Sequence, residues 1–178
     1  KINSRLCYFK PESSKSEKSF AKEISSSLNQ KEKSISPKFF YDVKGSAIFN
    51  EICELPEYYL TRTETELLKK IGNDLIQFII KDIRLVELGS GSAVKTRLLL
   101  DVLANIQNKT EYFPIDISDI LQESSQKLLE DYATLSITGI IDSYEGGLEF
   151  VEQYDDKPNF IAFLGSSFGN FTPESGFA

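Results

Sequence analysis

From Arg84 onward, short apolar runs alternate with stretches of helical periodicity, and this alternation constrains the fold more than any other feature. RLVELGS reads as a strand, followed by a helix through Leu98, Leu99, Val102 and Ile106. EYFPIDIS reads as a second strand, followed by a helix through Leu121, Leu128 and Leu129. LSITGIIDSY is a third, with a short helix around Leu148 to Val151, and NFIAFLGSS is a fourth. Nearly continuous apolar strands are buried on both faces, and a helix between successive strands makes them parallel. The expectation is an α/β protein built on a doubly wound parallel sheet.

The chain before Arg84 reads differently. Residues 1–36 are rich in Ser and Lys and form a polar helical segment and connector. Phe20, Ile24 and Leu28 recur at i, i+4, i+8 and predict one amphipathic helix over roughly residues 15 to 29. Residues 37–80 carry Phe39, Phe40, Tyr41, Phe49, Tyr58 and Tyr59. Ser46 is the expected N-cap of a helix placing Ile48, Phe49 and Ile52 on one face and ending at Leu55-Pro56. Thr61 and Glu64 have capping-box spacing, ahead of a helix expected to bury Leu67, Leu68, Ile71, Leu75 and Phe78. Aromatics taken singly here read as core packing. Adjacent tyrosines after a helix-ending proline read as a loop whose phenols can meet a ligand. The expected division is thus 1–36, an aromatic helical lid at 37–80, and a ligand-binding half-domain at 81–178.

Composition narrows the function classes. The 178 residues suffice for one ordinary domain. Histidine is absent, which removes Ser-His-Asp and Cys-His nucleophiles, imidazole bases and every His-ligated metal site. Cys7 and Cys53 are too few for a zinc cage or a disulfide framework, so no metal and a reducing cytoplasmic setting are expected. With 20 Lys and Arg against 27 Asp and Glu the net charge is -7, which argues against a nucleic-acid partner. No apolar run is long enough for a membrane span. The chain opens at Lys1 without a methionine, and Thr172-Pro173-Glu174 should start a helix just before the last residue, Ala178. A piece of a longer protein is therefore expected, with the sheet cut short after its fourth strand. That strand would be an edge open to self-association with a second copy.

The chemistry-bearing residues fall at the ends of the strands. Glu87-Leu88-Gly89-Ser90-Gly91 closes the first strand and opens a helix, letting the backbone turn tightly and approach a ligand. A dinucleotide fingerprint needs a third glycine where Val94 stands, and the glycine spacing before Lys95-Thr96 is wrong for a P-loop. An acid followed by G-x-G suits a nucleoside with no pyrophosphate, such as S-adenosylmethionine. Asp116 ends the second strand, where doubly wound folds use a carboxylate for ribose hydroxyls. The competing role is N-capping, for which Ser118 and Asp119 are better placed, so the ligand role is favoured. Asp142-Ser143-Tyr144 ends the third strand beside the same crevice. Gly165-Ser166-Ser167-Phe168-Gly169-Asn170 ends the fourth, with Asn170 serving either a ligand or the turn at Gly169.

At these residues the sequence resembles the histidine-specific S-adenosylmethionine-dependent methyltransferases, the family of ergothioneine biosynthesis, which includes fungal-type relatives. The matching blocks are FFYDVKGSAIFNEICELPEYYLTRTE, LVELGSGSAVKTRLLLD, YFPIDIS and FLGSSFGNFTPE, in order from Pro37 to Glu174. The resemblance implies a Rossmann-like class I methyltransferase fold and S-adenosyl-L-methionine as the cofactor. It also implies N-methylation of an amino acid's α-amino group, histidine first. By the same resemblance Tyr41, Gly89, Lys95, Asp116, Ser143 and Tyr144 contact the cofactor, with Lys95 toward the methionine carboxylate. Tyr58, Gly165 and Asn170 contact a small-molecule amino-acid substrate. Ser143-Tyr144 stands where many bacterial members have Asp-Phe, and Leu60 where a proline is usual; the pattern around Asp142-Ser143-Tyr144 is similar to that of fungal-type and related members, some of which methylate other amino-acid amines. The alternatives are a cofactor-binding module with little or no turnover, a methyltransferase for a tryptophan derivative, or an α/β nucleotide-binding domain of another kind.

Overall fold

The computed structural model describes residues 3–10, 17–79, 82–118 and 120–176. Five parallel strands form its centre: β1 (Leu6–Phe9), β2 (Arg84–Leu88), β3 (Thr110–Ile115), β4 (Leu135–Ile140) and β5 (Asn159–Phe163). Their spatial order is β1-β4-β3-β2-β5. Helices α1 (Glu17–Leu28), α2 (Val43–Glu54) and α3 (Leu60–Leu75) precede β2. Helices α4 (Thr96–Ala104), α5 (Ile120–Asp131) and α6 (Tyr144–Tyr154) connect successive strands, and α7 (Pro173–Gly176) follows β5. The fold is the expected α/β sheet.

Strand periodicity sorts neighbouring residues into two cores, one on each face. Leu85, Tyr112 and Ile137 join Leu68, Leu99, Leu103 and Leu128 from α3, α4 and α5. Val86, Phe113 and Ile140 join Val151, Leu148 and Phe150 from α6. A burial this complete on both sides explains why β2 has no exposed residue.

The count of four strands needs correction, because Leu6–Phe9 adds a fifth. β1 pairs with β4 in the register Leu6 with Ile137 and Phe9 with Ile140. Arg5 secures this strand from outside the sheet. Its guanidinium donates to the carbonyls of Leu129 (3.2 Å), Tyr132 (2.9 Å) and Ala133 (3.2 Å), the open end of α5. A cation there meets the negative end of the helix dipole and satisfies carbonyls that lack helical partners.

The helices between residues 37 and 79 also differ from expectation. Asp42, not Ser46, caps α2, accepting from the Gly45 N–H at 2.7 Å; Ser46 lies inside the helix. Thr61 lies inside α3, its hydroxyl donating to Cys53 Sγ, so the capping box does not form. The buried stripe of α3 runs through Leu68 and Gly72, where a Cβ at Gly72 would stand 3.3 Å from Val102 of α4. Leu67 and Phe78 face solvent instead, Phe78 being 76% exposed. The predicted amphipathic helix over 15–29 is α1, with residues 15 and 16 outside the described residues.

Arg84 is wholly buried at the amino end of β2. Asp155 holds it bidentately at 2.7 and 2.8 Å, Glu111 accepts at 3.3 Å, and the Phe113 ring lies 4.2 Å from the guanidinium carbon. These partners replace the water that the cation loses. Among the described residues no helix is long and apolar enough to cross a membrane.

Candidate active site

β2 is flanked by β3 on one side and β5 on the other, so the chain leaves the sheet centre in opposite directions. A crevice opens at the carboxyl ends of strands where the order reverses in this way. The glycine turn after β2 and the Gly165 loop after β5 line it, with β3 adding Asp116.

The turn after β2 is shaped by left-handed backbone. Gly89 (φ 70°) and Gly91 (φ 50°) adopt it freely, whereas Ala93 (φ 57°) does so at a steric cost of about 1 kcal/mol. A Cβ at Gly89 would lie 2.8 Å from the Tyr144 hydroxyl oxygen, so a side chain there would push that phenol aside as well as strain the left-handed backbone. Gly91 faces open space. Its N–H donates to Asp116 Oδ2 at 3.0 Å, while Asp116 Oδ1 accepts from the Ser118 N–H (2.8 Å) and hydroxyl (2.6 Å). Asp116 therefore joins the ends of β2 and β3 rather than capping α5, and the hydroxyl of Ser118 turns back to it. Asp119, the other expected cap, lies outside the described residues.

Tyr144 opens α6, and Ser143 caps that helix by accepting from the Gly146 N–H at 3.2 Å. The Tyr144 ring meets Phe163 edge-on at 5.2 Å. Burial first, then the charge of Asp116 and the nearby Tyr41 phenol, raises its pKa above the ordinary phenol value. Tyr58 is raised by burial too, then by Cys53, Tyr41 and Glu64. A phenol is already neutral at physiological pH, and both shifts act in the same direction. The Phe49 ring lies between Tyr41 (5.8 Å) and Tyr58 (6.0 Å), and Arg62 fixes the Tyr58 loop by donating to the Leu55 and Pro56 carbonyls.

The residue that the sequence analysis missed is Glu64. It precedes Leu68 and Gly72 on the inward stripe of α3 and reaches both loops of the crevice. Its carboxylate pairs with Lys95 Nζ at 2.5 Å and accepts from the Gly165 N–H at 2.9 and 3.1 Å. A Cβ at Gly165 would lie 3.1 Å from Lys95 Nζ, which places Lys95 directly against that loop. An acid within an otherwise apolar stripe was the available signal, and capping-box spacing concealed it. Gly89, Lys95, Asp116, Tyr144 and Gly165 thus converge, with Tyr41 and Tyr58 beside them. Asn170 ends the short 3-10 turn Ser167–Asn170, exposed at the same end of β5.

Beneath the crevice, Glu87 is buried on the other side of the glycine turn. Its Oε2 accepts from the Thr96 hydroxyl at 2.6 Å and the Tyr112 hydroxyl at 2.5 Å. Burial outweighs these hydrogen bonds and pushes its pKa up to about 7. This group ties the first turn of α4 and the middle of β3 to the end of β2.

A histidine N-alpha-methyltransferase from Mycolicibacterium smegmatis is 34% identical over 153 residues, covering 85% of this chain and 47% of the relative. An ergothioneine biosynthesis protein 1 from Schizosaccharomyces pombe is 33% identical over 144 residues, 76% of this chain and 19% of that protein. A 4-dimethylallyltryptophan N-methyltransferase from Claviceps purpurea is 28% identical over 164 residues, 89% of this chain and 48% of the relative. The chain spans about half the length of the mycobacterial relatives that it matches. Residues 20–177 match the family described as histidine-specific methyltransferase, SAM-dependent, and the chain belongs to that family.

Proposed function

We propose that the crevice binds S-adenosylmethionine and serves N-methylation of an amino acid's α-amino group, with histidine as the first substrate to test. The observation that carries this reading is the convergence of Gly89 and Lys95 from the β2–α4 turn, Asp116 from the end of β3 and Gly165 from the loop after β5 on one switch-point crevice. An adenosyl sulfonium fits these residues. Gly91 leaves room beside the backbone, Asp116 offers a carboxylate to the ribose diol after releasing the Gly91 N–H, and Lys95 offers a cation to a carboxylate. Ser143 and Tyr144 would flank the base; Ser143 does so while capping α6.

When bound beside Gly89, Lys95 and Asp116, the sulfonium would supply an activated methyl group for a neutral amine acceptor. The protein's contribution is positioning, which is worth roughly 7–11 kcal/mol in favourable cases. Tyr41, Tyr58 and the Gly165–Asn170 loop orient the acceptor and exclude water. The phenols of Tyr58 and Tyr144 hold their protons, so they orient by hydrogen bonding and do not take the amine's proton.

A methyl-transfer assay with histidine, 4-dimethylallyltryptophan and other amines tests the substrate, on this chain and on a longer one. Methylation of histidine above the other amines is expected. Preference for the tryptophan derivative would move the chain to the fungal-type activity, and turnover only by the longer chain would make this one a binding module. Calorimetry with S-adenosylmethionine against a nicotinamide dinucleotide tests the cofactor, and preference for the dinucleotide would refute the reading. Ile161 leaves β5 an apolar open edge, and self-association through it is expected in gel filtration; a clean monomer would refute that.

A further inference from the structure

Glu64 and Lys95 form a contact pair at the mouth of the crevice, and both remain partly exposed, with side chains 25% and 19% accessible. Neither charge is sealed off. Lys95 carries three donors, of which Glu64 takes one. Glu64 Oε1 accepts only the Gly165 N–H among the described contacts, leaving acceptor capacity on its second lone pair. Opposite charges side by side, each with unused hydrogen-bonding capacity, present a fixed dipole to an incoming group.

We propose that Glu64 and Lys95 together are a receptor for an α-amino-acid zwitterion, with Glu64 binding the ammonium and Lys95 the carboxylate. This rests on the proposed amino-acid methyltransferase reading of the same crevice and extends it to Glu64. The electrostatics select the ligand class. A simple anion entering here meets Lys95 but is repelled by Glu64 next to it, and a simple cation meets the reverse. A zwitterion brings one charge to each, so a neutral pair exchanges one contact for two crossed contacts without leaving a charge unpartnered. The positive φ of Gly165 (80°) turns its N–H toward Glu64 and keeps side-chain bulk away from Lys95. The same zwitterion occurs at the methionine end of the donor and in the amino-acid acceptor, and Lys95 against Gly165 brings together the residues expected for each.

Calorimetry on the intact chain with matched ligand pairs tests this. One pair is S-adenosylhomocysteine and its analogue lacking the α-amino group; the other is histidine and imidazolepropionate. Glu64→Gln, which keeps the Gly165 acceptor and the side-chain shape, should weaken the amine-bearing member of one pair about tenfold or more. The des-amino member, a simple anion no longer opposed by Glu64, should bind as well as before or more tightly. The pair that shows this identifies which zwitterion is held. Lys95→Gln should give the mirror result, costing carboxylate-bearing ligands and sparing the decarboxylated amines. Equal losses within both pairs, or none, would reduce Glu64 to a strut between α3 and β5 and overturn the proposal. If the wild-type chain binds neither adenosyl ligand, the methyltransferase reading fails as well, and that result is distinct from binding without amine selectivity.

Discussion

Replacing Glu87 with glutamine isolates a pH dependence built into the floor of the crevice. Burial raises the Glu87 carboxyl from an ordinary value of 4.5 to about 7, against the opposing hydrogen bonds of Thr96 and Tyr112. A raised carboxyl pKa means that the folded chain binds the proton more tightly than the unfolded chain. Below pH 4.5 both states are protonated and no penalty arises. Between 4.5 and about 7 only the unfolded state ionises, so stability falls as pH rises, and above 7 the loss is complete. Between pH 5 and pH 8 this amounts to about 2.5 kcal/mol. Glu87→Gln keeps an oxygen acceptor for both hydroxyls and removes the titration. Urea unfolding followed by circular dichroism at pH 5, 6, 7 and 8 measures both proteins, and every other titrating group cancels in their difference. Wild type should lose about 2.5 kcal/mol relative to the variant across that range. Parallel stability curves would show that Glu87 ionises normally in the fold and would refute the reasoning.

Asp116→Ala should weaken S-adenosylhomocysteine binding in calorimetry by about tenfold, and unchanged affinity would remove Asp116 from the site. Tyr58→Phe should raise the KM for the amino acid more than that for the methyl donor, whereas equal effects would contradict its placement on the acceptor side. Gly139→Ala should destabilise the chain by about 1–3 kcal/mol in urea unfolding, because a Cβ there would stand 2.5 Å from Tyr8 and 2.6 Å from Leu121. Wild-type stability in that variant would mean that β1 does not pack against α5 as described.

What the sequence decided by itself was local. Apolar runs broken by helical periodicity after Arg84 specify strands buried on two faces, because side-chain burial follows a period of two in strands and 3.6 in helices. The glycine turn and Asp116 were legible for a similar reason, since a strand's carboxyl end fixes where they stand. Tertiary structure alone decided the rest. LCYF is too short and too polar in its surroundings to signal a strand, and only Arg5 on the open end of α5 and the β4 ladder make it one. Asp42 displaced Ser46 as a cap because its side chain reaches the Gly45 N–H, a geometric choice between two suitable residues. Glu64 shows the limit most clearly. Its spacing from Thr61 satisfies a local rule, yet its partners are 31 and 101 positions away, on loops that meet only when β2 and β5 pair. A sequence window registers neighbours along the chain, whereas a charge is held by whatever the folded sheet brings within hydrogen-bonding distance.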